Sequence, residues 1–321
     1  MPTEKRKRQT ADASPTLLAL EIGASKCQLA LGTPGGRIRL RHRGAVDRAA
    51  GGAGIRAQIE ATVRGWRHDG HRWTAVGCGY GGPVDWRTGR ICCSHHVEGW
   101  NDFPLGEWLG DLCGAPAIVD NDTNVATLGE AILGAGCGSD PVFYTNSGSG
   151  VGGGLVTGGH IYHGATPGEA EFGHIRLDRS GTIIEDRCSG WAVDKRIRAL
   201  HDSGATGTLV QSLPDTPGGE ARLLPAALAA GDPLARRILN ETANDLAFAL
   251  SHAVHLFHPA AIVLGGGLSL IGEPWRAAVE SALSPFVMKA FLPPPPVRLA
   301  ALGEDVVPTG ALLLAAQHMA R

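Results

Sequence analysis

The sequence lacks any long hydrophobic run. No stretch of its 321 residues reaches the roughly 18 consecutive apolar residues that a membrane-spanning helix needs. It also lacks an excess of charge of either sign, because 29 Lys and Arg residues face 31 Asp and Glu residues, for a net charge of -2. A balanced charge produces no strong field toward nucleic acid or an anionic membrane. These two absences predict a protein with neither a nucleic-acid nor a membrane partner.

Neither a secretory signal nor a disulfide framework is recognisable. The opening segment, MPTEKRKRQTADASP, has basic residues but no apolar core behind them, so we expect residues 1–15 to form a disordered basic tail. An odd, scattered set without a Cys-x-x-Cys pair is typical of a reduced compartment, which predicts a cytoplasmic protein. The seven cysteines are Cys27, Cys78, Cys92, Cys93, Cys113, Cys137 and Cys188.

Glycine, in contrast, is abundant: its 46 residues are about twice the average share of roughly 7%. One cluster, Gly148 to Gly153, matches G-x-G-x-x-G, but β-like residues follow it, whereas a dinucleotide fingerprint must open a helix. The Walker spacing is absent as well. We interpret the turns around Ser25 and Ser149 as phosphate cradles of converging N–H groups, and Gly265–Gly267 as bare backbone against an adenosine. The alternative that all three are merely tight turns stays open on composition alone.

Two segments share one plan, since Leu17 to Gly32 and Val142 to Gly164 each predict two strands joined by a bend of small residues. This weak internal repeat predicts two related lobes. Helix-then-strand alternation predicts α/β lobes with mixed sheets and a ligand cleft between them. Two predicted helices each carry an apolar face, and Pro259 ends the second of these helices. These faces consist of Ile55, Ile59, Val63 and Trp66, and of Leu246, Leu250, Val254 and Phe257.

One segment, Ile118 to Ala131, places four small polar side chains between an apolar strand and an apolar helix pattern. They are Asp120, Asn121, Asp122 and Asn124. Asp and Asn side chains cap helices by accepting hydrogen bonds from the free N–H groups of the first turn. A cap needs one such residue, so four of them indicate a further role.

These motifs, in this order, resemble those of the ROK family (repressors, open reading frames and kinases), within the actin–hexokinase superfamily of two-lobed ATP-binding proteins. EIGASK resembles its first phosphate motif, NSGSGVGGG its second, VDNDTNVATLGEA its catalytic segment, EAEFGH its sugar-and-metal motif and IVLGGG its adenosine motif. The resemblance covers nearly the whole chain from about Leu17. It implies an α/β, actin/hexokinase-like (ribonuclease H-like) fold with an interlobe cleft. The lobes are expected at 16–120 and 121–305, with a helix at about 306–321 that packs back on the first.

The resemblance also implies roles for individual residues. Asp122 corresponds to the base that takes the proton from the attacking sugar hydroxyl, while Asp120 and Asn124 cap or brace the loop. Sugar binding is expected from Gly82, Asn121, Glu171, His174 and Glu185. Nucleotide binding is expected from Gly23, Ser25, Lys26, Gly148, Ser149, Gly150, Gly265, Gly266 and Gly267.

The chain departs from the family pattern in two places. Many members carry a Cys-x-Cys-x4-Cys cluster that holds zinc, but here only Cys188 follows His174, so we predict no zinc. Glu21 replaces the aspartate of the first motif, and we expect it to act on Mg²⁺ through water or the nucleotide. Ala24 and Ser25 replace the usual Gly and Thr, and Ser25 keeps a hydroxyl.

The resemblance implies an ATP-dependent hexose kinase, glucokinase-like, that uses magnesium-bound ATP. An N-acylhexosamine kinase of the N-acetylmannosamine type and a sugar-binding protein with weakened catalysis are the alternatives. The sugar and the donor, ATP or polyphosphate, stay open. Family repressors act through an N-terminal helix-turn-helix, for which about fifteen residues before the first strand are too few. Because dimers are common in the family, a homodimer is expected.

Overall fold

The computed structural model describes residues 15–23, 25–94, 97–166, 168 and 170–320. The predicted basic tail, apart from its last residue, and the departure at position 24 lie outside the described residues. Within these ranges every helix is too short or too polar to cross a membrane.

Strands and helices alternate along the chain as the sequence predicts. The strands are β1 (Leu17–Ile22), β2 (Lys26–Gly32), β3 (Ile38–Ala45), β4 (Val76–Tyr80), β5 (Val84–Asp85), β6 (Arg90–Ile91), β7 (Ala117–Asn121), β8 (Val142–Ser147), β9 (Val151–Thr157), β10 (His160–Ile161), β11 (Ala261–Gly265) and β12 (Val297–Leu299). The α-helices are α1 (Gly51–His68), α2 (Leu105–Cys113), α3 (Asp122–Ile132), α4 (Glu185–Cys188), α5 (Gly190–Asp202), α6 (Thr208–Gln211), α7 (Leu224–Ala229), α8 (Pro233–Phe257), α9 (Glu273–Leu283) and α10 (Val306–Met319).

Among the described residues, the longer strands form two five-stranded sheets with the same topology. The order is β3-β2-β1-β4-β7 in the first sheet and β10-β9-β8-β11-β12 in the second, while β5 and β6 pair separately. In each sheet the first three strands along the chain are antiparallel, and the two later strands add in parallel. This shared topology confirms the internal repeat predicted from the two glycine-rich hairpins.

The two predicted amphipathic helices pack on different sheets. In α1 and α8 the buried positions include Ile55, Ile59, Val63, Trp66, Leu246, Leu250 and Val254, as predicted. The prediction that Phe257 belongs to the buried face is wrong, because its side chain is 38% exposed. Helix α8 ends at Phe257, and His258 takes a left-handed conformation (φ 43°) directly before Pro259, which disfavours a helical residue there.

Helices α3 and α10 pack between the two sheets. Helix α10 contacts β1, β4 and α3, and α3 contacts β8 and β9. Their shared core contains buried residues of β1, β2, β8, β9 and β11. The approach is close, because a Cβ on Gly310 of α10 would lie 1.9 Å from the carbonyl oxygen of Val125 in α3. The C-terminal helix therefore lies against the first sheet, whereas the exact residue boundaries of the two lobes stay predictions.

Candidate active site

A cleft of about 760 Å³ is lined by segments that follow the carboxyl ends of β4, β7 and β8, and thus by both sheets. Ligands of open α/β sheets bind at such strand ends. The cleft is lined by the predicted base, Asp122, and by residues predicted to bind sugar or nucleotide, namely Gly82, Asn121, Gly148, Ser149, Gly150, Glu171, His174 and Glu185. The structure thus brings together side chains that lie far apart in the sequence.

The polar segment from Asp120 to Asn124 lies at the junction of β7 and α3, where hydrogen bonds fix its side chains. Asn121 is the N-cap of α3, because its Oδ1 accepts hydrogen bonds from the N–H groups of Thr123 (2.8 Å) and Asn124 (3.2 Å). Its Nδ2 donates to the carbonyl oxygen of Gly82 at 3.2 Å. The expectation that Asp120 or Asn124 supplies the cap is therefore corrected. These two side chains brace the junction instead, since Asn124 Nδ2 donates to Asp120 Oδ1 at 3.0 Å.

Asp122 is the first residue of α3, and its partly buried carboxylate borders the cleft. Burial raises the pKa of Asp122 to about 7, and the negative charge of Glu21 adds to the rise. Hydrogen bonds from Thr123, whose Oγ1 donates to Asp122 Oδ1 at 3.2 Å, and the positive charge of Lys26 oppose it. A carboxylate with a pKa near the working pH is suited to act as a general base.

Glu21 stands behind Asp122, at the end of β1. Its side chain is 6% exposed, and its Oε1 lies 3.0 Å from Nζ of Lys26. Gln28 donates a hydrogen bond to its other oxygen. The carboxylates of Glu21 and Asp122 supply hard oxygen donors of the kind that Mg²⁺ prefers. The residues present fit the predicted magnesium role.

The first glycine turn, between β1 and β2, adjoins Asp122. Gly81 donates its N–H to the carbonyl oxygen of Ile22 at 2.8 Å, and a Cβ on Gly81 would lie 3.2 Å from Asp122 Oδ2. Gly23 packs on the same glycine, and its N–H donates within the turn to Lys26 at 3.0 Å. This turn therefore stands directly beside Asp122, although it does not line the main cleft.

The second glycine turn, between β8 and β9, stands at the N-terminus of α5. Gly190, the first residue of α5, donates its N–H to the carbonyl oxygen of Gly148 at 2.7 Å, and the Gly148 N–H donates to Gly150 at 2.9 Å. Ser149, at the tip, is exposed. The turn thus presents backbone and a hydroxyl beside the positive end of a helix dipole, an arrangement that attracts anions such as phosphates.

The third glycine segment touches the second turn. Gly265 pairs with Asn146 across β11 and β8. Gly266 has a φ of 78°, and a Cβ there would lie 2.6 Å from the backbone of Ser147, so only glycine fits this position. Gly265–Gly267 therefore lies next to the second turn without lining the cleft itself.

The predicted sugar-binding side chains divide into two groups. Glu171 and His174 are exposed, at the start and end of a 3-10 turn (Phe172–His174) that borders the cleft. Glu185 is already engaged, because one of its oxygens, Oε2, accepts the Val151 N–H at 2.9 Å. Glu171 and His174 therefore keep their polar atoms turned to solvent, while Glu185 also holds the second turn in place.

Sequence reasoning missed a polar link between β8 of the second sheet and α3. Asn146 Nδ2 donates to Thr123 Oγ1 at 3.2 Å, and Asn146 Oδ1 accepts the Gly152 N–H at 2.8 Å. The Thr123 hydroxyl in turn contacts Asp122. The available signal was the position of Asn146, a polar side chain near the end of a strand and just ahead of a glycine turn.

Cys188 does not resemble a metal ligand. It is buried, its Sγ contacts the carbonyl oxygen of Thr242 at 3.7 Å, and burial raises its pKa far above the usual range. A thiol that resists deprotonation is a poor metal ligand, since metals bind the thiolate. That no zinc binds at His174 stays a prediction.

Comparison with known proteins gives consistent matches. The model of the ROK family matches residues 17–318. The chain is 29% identical to a glucokinase of Thermotoga maritima over 252 residues, covering 76% of this chain and 79% of that protein. It is 34% identical to the bifunctional enzyme NanE/NanK of Brucella melitensis over 269 residues, covering 81% of this chain and 47% of that protein.

A solved structure supports the same relationship. The ROK family glucokinase from Streptomyces griseus, in complex with glucose and AMPPNP, matches with a TM-score of 0.80 at 28% identity, covering 94% of this chain and 99% of that one. The two-lobed, actin/hexokinase-like (ribonuclease H-like) fold predicted from the motifs is confirmed. The family match spans nearly the entire chain, and we conclude that this protein belongs to the ROK family.

Proposed function

We propose that this chain is an ATP-dependent hexose kinase, glucokinase-like, that transfers the γ-phosphoryl group of ATP to a sugar hydroxyl. The observation that carries the proposal is Asp122, a carboxylate with a pKa raised to about 7 in the cleft that the second glycine turn also lines. The glucokinase of Thermotoga maritima and the Streptomyces griseus structure with glucose and AMPPNP support the same activity.

Asp122 acts as the general base. It accepts the proton of the attacking hydroxyl while the sugar oxygen bonds to the γ-phosphorus and ADP leaves. A positioned base of this kind contributes roughly 10²–10⁴-fold to the rate. Thr123, which contacts both Asp122 and Asn146, orients the carboxylate.

The sugar is held by the remaining polar groups of the cleft. Glu171 and Glu185 accept hydrogen bonds from sugar hydroxyls. A hydrogen bond to an ionised carboxylate is stronger than one between neutral groups. His174 and the free N–H of the Asn121 amide bind further hydroxyls. Gly82 contributes by shape, because its carbonyl oxygen already accepts from Asn121.

The nucleotide lies along the glycine segments. The turn at Gly148–Gly150, at the N-terminus of α5, receives phosphate oxygens, and the hydroxyl of Ser149 adds a donor. On the other side Ser25 and Lys26 offer a hydroxyl and an ammonium group, since Lys26 is exposed beside Glu21. The adenosine lies on the bare backbone of Gly265–Gly267, which is adjacent to Ser147.

Glu21 would hold magnesium through water or through the phosphates, with Asp122 nearby. The described residues contain no group of three or more His, Cys, Asp and Glu side chains arranged to hold a metal by themselves. Protein-bound Mg²⁺ usually combines one or two carboxylates with substrate phosphates and water. When bound, the ion neutralises charge on the transferring phosphoryl group.

A second candidate is an N-acylhexosamine kinase of the N-acetylmannosamine type. The observation that favours it is the 34% identity to the bifunctional enzyme NanE/NanK of Brucella melitensis. Incubation with ATP, magnesium and a panel of hexoses and N-acetylated hexosamines, followed by measurement of ADP, separates the two. If no sugar gave ADP, the remaining alternative would be a sugar-binding protein in which Glu21 weakens catalysis.

The base assignment is tested by Asp122→Asn. We expect this variant to lose turnover by at least about 100-fold, because a neutral amide accepts no proton, while sugar affinity in calorimetry stays within about threefold. Asp215→Asn, an equivalent change on an exposed loop, is the matched control and should leave turnover unchanged. Near-normal turnover of Asp122→Asn would refute the assignment.

The prediction that His174 binds no zinc is tested by metal analysis of the purified protein. We expect less than about 0.1 zinc per chain, because the thiolate ligands of a tetrahedral site are missing. One zinc per chain would contradict it.

The predicted homodimer is tested by light scattering, and the predicted cytoplasmic location by fractionation of the cells that produce the protein.

A further inference from the structure

The carboxylate of Asp120 has no part in the proposed reaction, yet it is 2% exposed and has three polar partners. Its Oδ1 accepts hydrogen bonds from the N–H of Asn121 at 2.8 Å and from Nδ2 of Asn124 at 3.0 Å. Its Oδ2 lies 2.5 Å from Nε2 of His163. Because a carboxylate only accepts, the His163 N–H is the donor of this short, charge-assisted hydrogen bond.

His163 is itself fixed from the other side. Its ring stacks on that of Trp86, with 4.2 Å between centroids and 14° between planes. A Cβ on Gly168, which lines the cleft, would lie 3.0 Å from the Trp86 ring and 2.9 Å from the carbonyl oxygen of His163. The His163 side chain is only 16% exposed. Its orientation is therefore determined by packing as well as by the hydrogen bond.

The hydrogen bond joins segments of the two sheets. Asp120 belongs to β7 of the first sheet and directly precedes Asn121 and Asp122. His163 follows β10 of the second sheet, in the connection that leads to Glu171 and His174. The pair thus spans from the segment with the proposed base to the segment with two proposed sugar-binding side chains.

We propose that His163 is a positioning residue, which acts through Asp120 to hold the junction that carries Asp122 in register with the sugar-binding turn at Glu171–His174. The inference rests on the proposed function and assigns a role to a pair that the reaction itself does not use. A misplacement of about 1 Å between base and hydroxyl costs on the order of 100-fold in rate. Loss of the hydrogen bond should therefore affect the sugar side of the reaction.

The nucleotide side should be unaffected. The two glycine turns contact Lys26, Val46, Gly81, Glu185 and Gly190, and none of the described contacts joins them to His163 or Asp120. The proposal therefore predicts that loss of the hydrogen bond changes the kinetics with the hexose but not with ATP. If the hydrogen bond had only a structural role, its loss would raise KM for both substrates together and would lower the melting temperature.

The experiment compares His163→Phe with wild type in the full-length protein. Phenylalanine keeps a flat ring against Trp86 but removes the donor to Asp120. We expect kcat to fall about 10-fold or more and KM for the hexose to rise at least about fivefold, with KM for ATP within about twofold. His160→Phe is the matched control, because His160 borders the same 220 Å³ cavity as His163 but contacts Gln317, and it should behave as wild type.

A double-mutant cycle measures whether the effects of His163 and Asp120 are coupled. If His163 acts through Asp120, His163→Phe combined with Asp120→Asn should be no more than about twofold worse than the poorer single variant. Independent, multiplicative losses would overturn the proposal, as would unchanged hexose kinetics in a folded His163→Phe protein, or an equal loss for both substrates. If wild type turned over no sugar, the proposed function would fail instead. Glucose affinity of the two proteins in calorimetry would still decide the inference, with at least about fivefold weaker binding expected for His163→Phe.

Discussion

At the residue scale, function and stability compete at Asp122. Burial and the charge of Glu21 both disfavour the ionised form that the proposed reaction needs. An acid whose pKa is raised in the folded state contributes stability below its unfolded pKa, here 3.8, and loses it as the pH rises through about 7. The ionised base therefore lowers the free energy of unfolding at neutral and alkaline pH.

This cost predicts that Asp122→Asn is more stable than wild type at alkaline pH. We expect the free energy of unfolding to rise by about 2 kcal/mol near pH 8, because the amide carries no charge to desolvate. The gain should disappear below about pH 4, where the carboxyl is neutral in both states. Denaturant titrations of both proteins across this range measure it, and a gap that does not change with pH would contradict the raised pKa.

At the element scale, the crossing of α3 and α10 positions the proposed base, Asp122. Glu130 of α3 is fully buried and accepts hydrogen bonds from the N–H groups of Ala135, Ala301 and Leu302, which ties α3 to the segment before α10. Gly310 lets the two helix backbones touch. Because Asp122 is the first residue of α3, the placement of this helix sets the placement of the carboxylate.

The crossing predicts opposite effects for two glycine-to-alanine changes. Gly310→Ala places a methyl group 1.9 Å from the Val125 carbonyl oxygen, so we expect a loss of about 2 kcal/mol or more in the free energy of unfolding. Gly65→Ala, on the exposed face of α1 with no atom within 4 Å of the new Cβ, should gain up to about 1 kcal/mol. Chemical denaturation compares them. Equal effects would show that the helix contact is not tight.

At the scale of the whole molecule, two sheets of equal topology share one core. Each sheet has its own hydrophobic cluster, but a third cluster, built on α3 and α10, includes strands of both sheets. Unfolding either sheet alone would expose this shared core to water, which is unfavourable in proportion to the apolar area.

The shared core predicts a single cooperative unfolding transition. Circular dichroism, which reports helices throughout, and tryptophan fluorescence should give coincident denaturation curves, because the two sheets share the core built on α3 and α10. Glucose together with ADP should shift the common midpoint upward, since both bind only the folded cleft. Two separated transitions would show that the lobes unfold independently.

Much of the fold followed from local patterns. The faces of α1 and α8 were predictable from the spacing of Ile55, Ile59, Leu246 and Leu250, because helical periodicity is a property of neighbouring residues. Phe257 was misassigned because a helix end depends on the backbone beyond it, here the left-handed His258. The candidate site was recognisable because its motifs are short and contiguous, and those at Asn121–Asp122 and Gly148–Gly150 lie where strands end.

The sequence by itself determined the strands, the helices and the glycine turns, since each depends on residues that are close along the chain. The tertiary structure alone decided that Asn121 donates to the carbonyl oxygen of Gly82, that Glu21 raises the pKa of Asp122, and that His163 donates to Asp120. These three features depend on distances between segments that are far apart in the sequence and that only strand pairing and packing bring together. Electrostatic and hydrogen-bond energies follow from those distances and from burial, and neither quantity is encoded in local sequence.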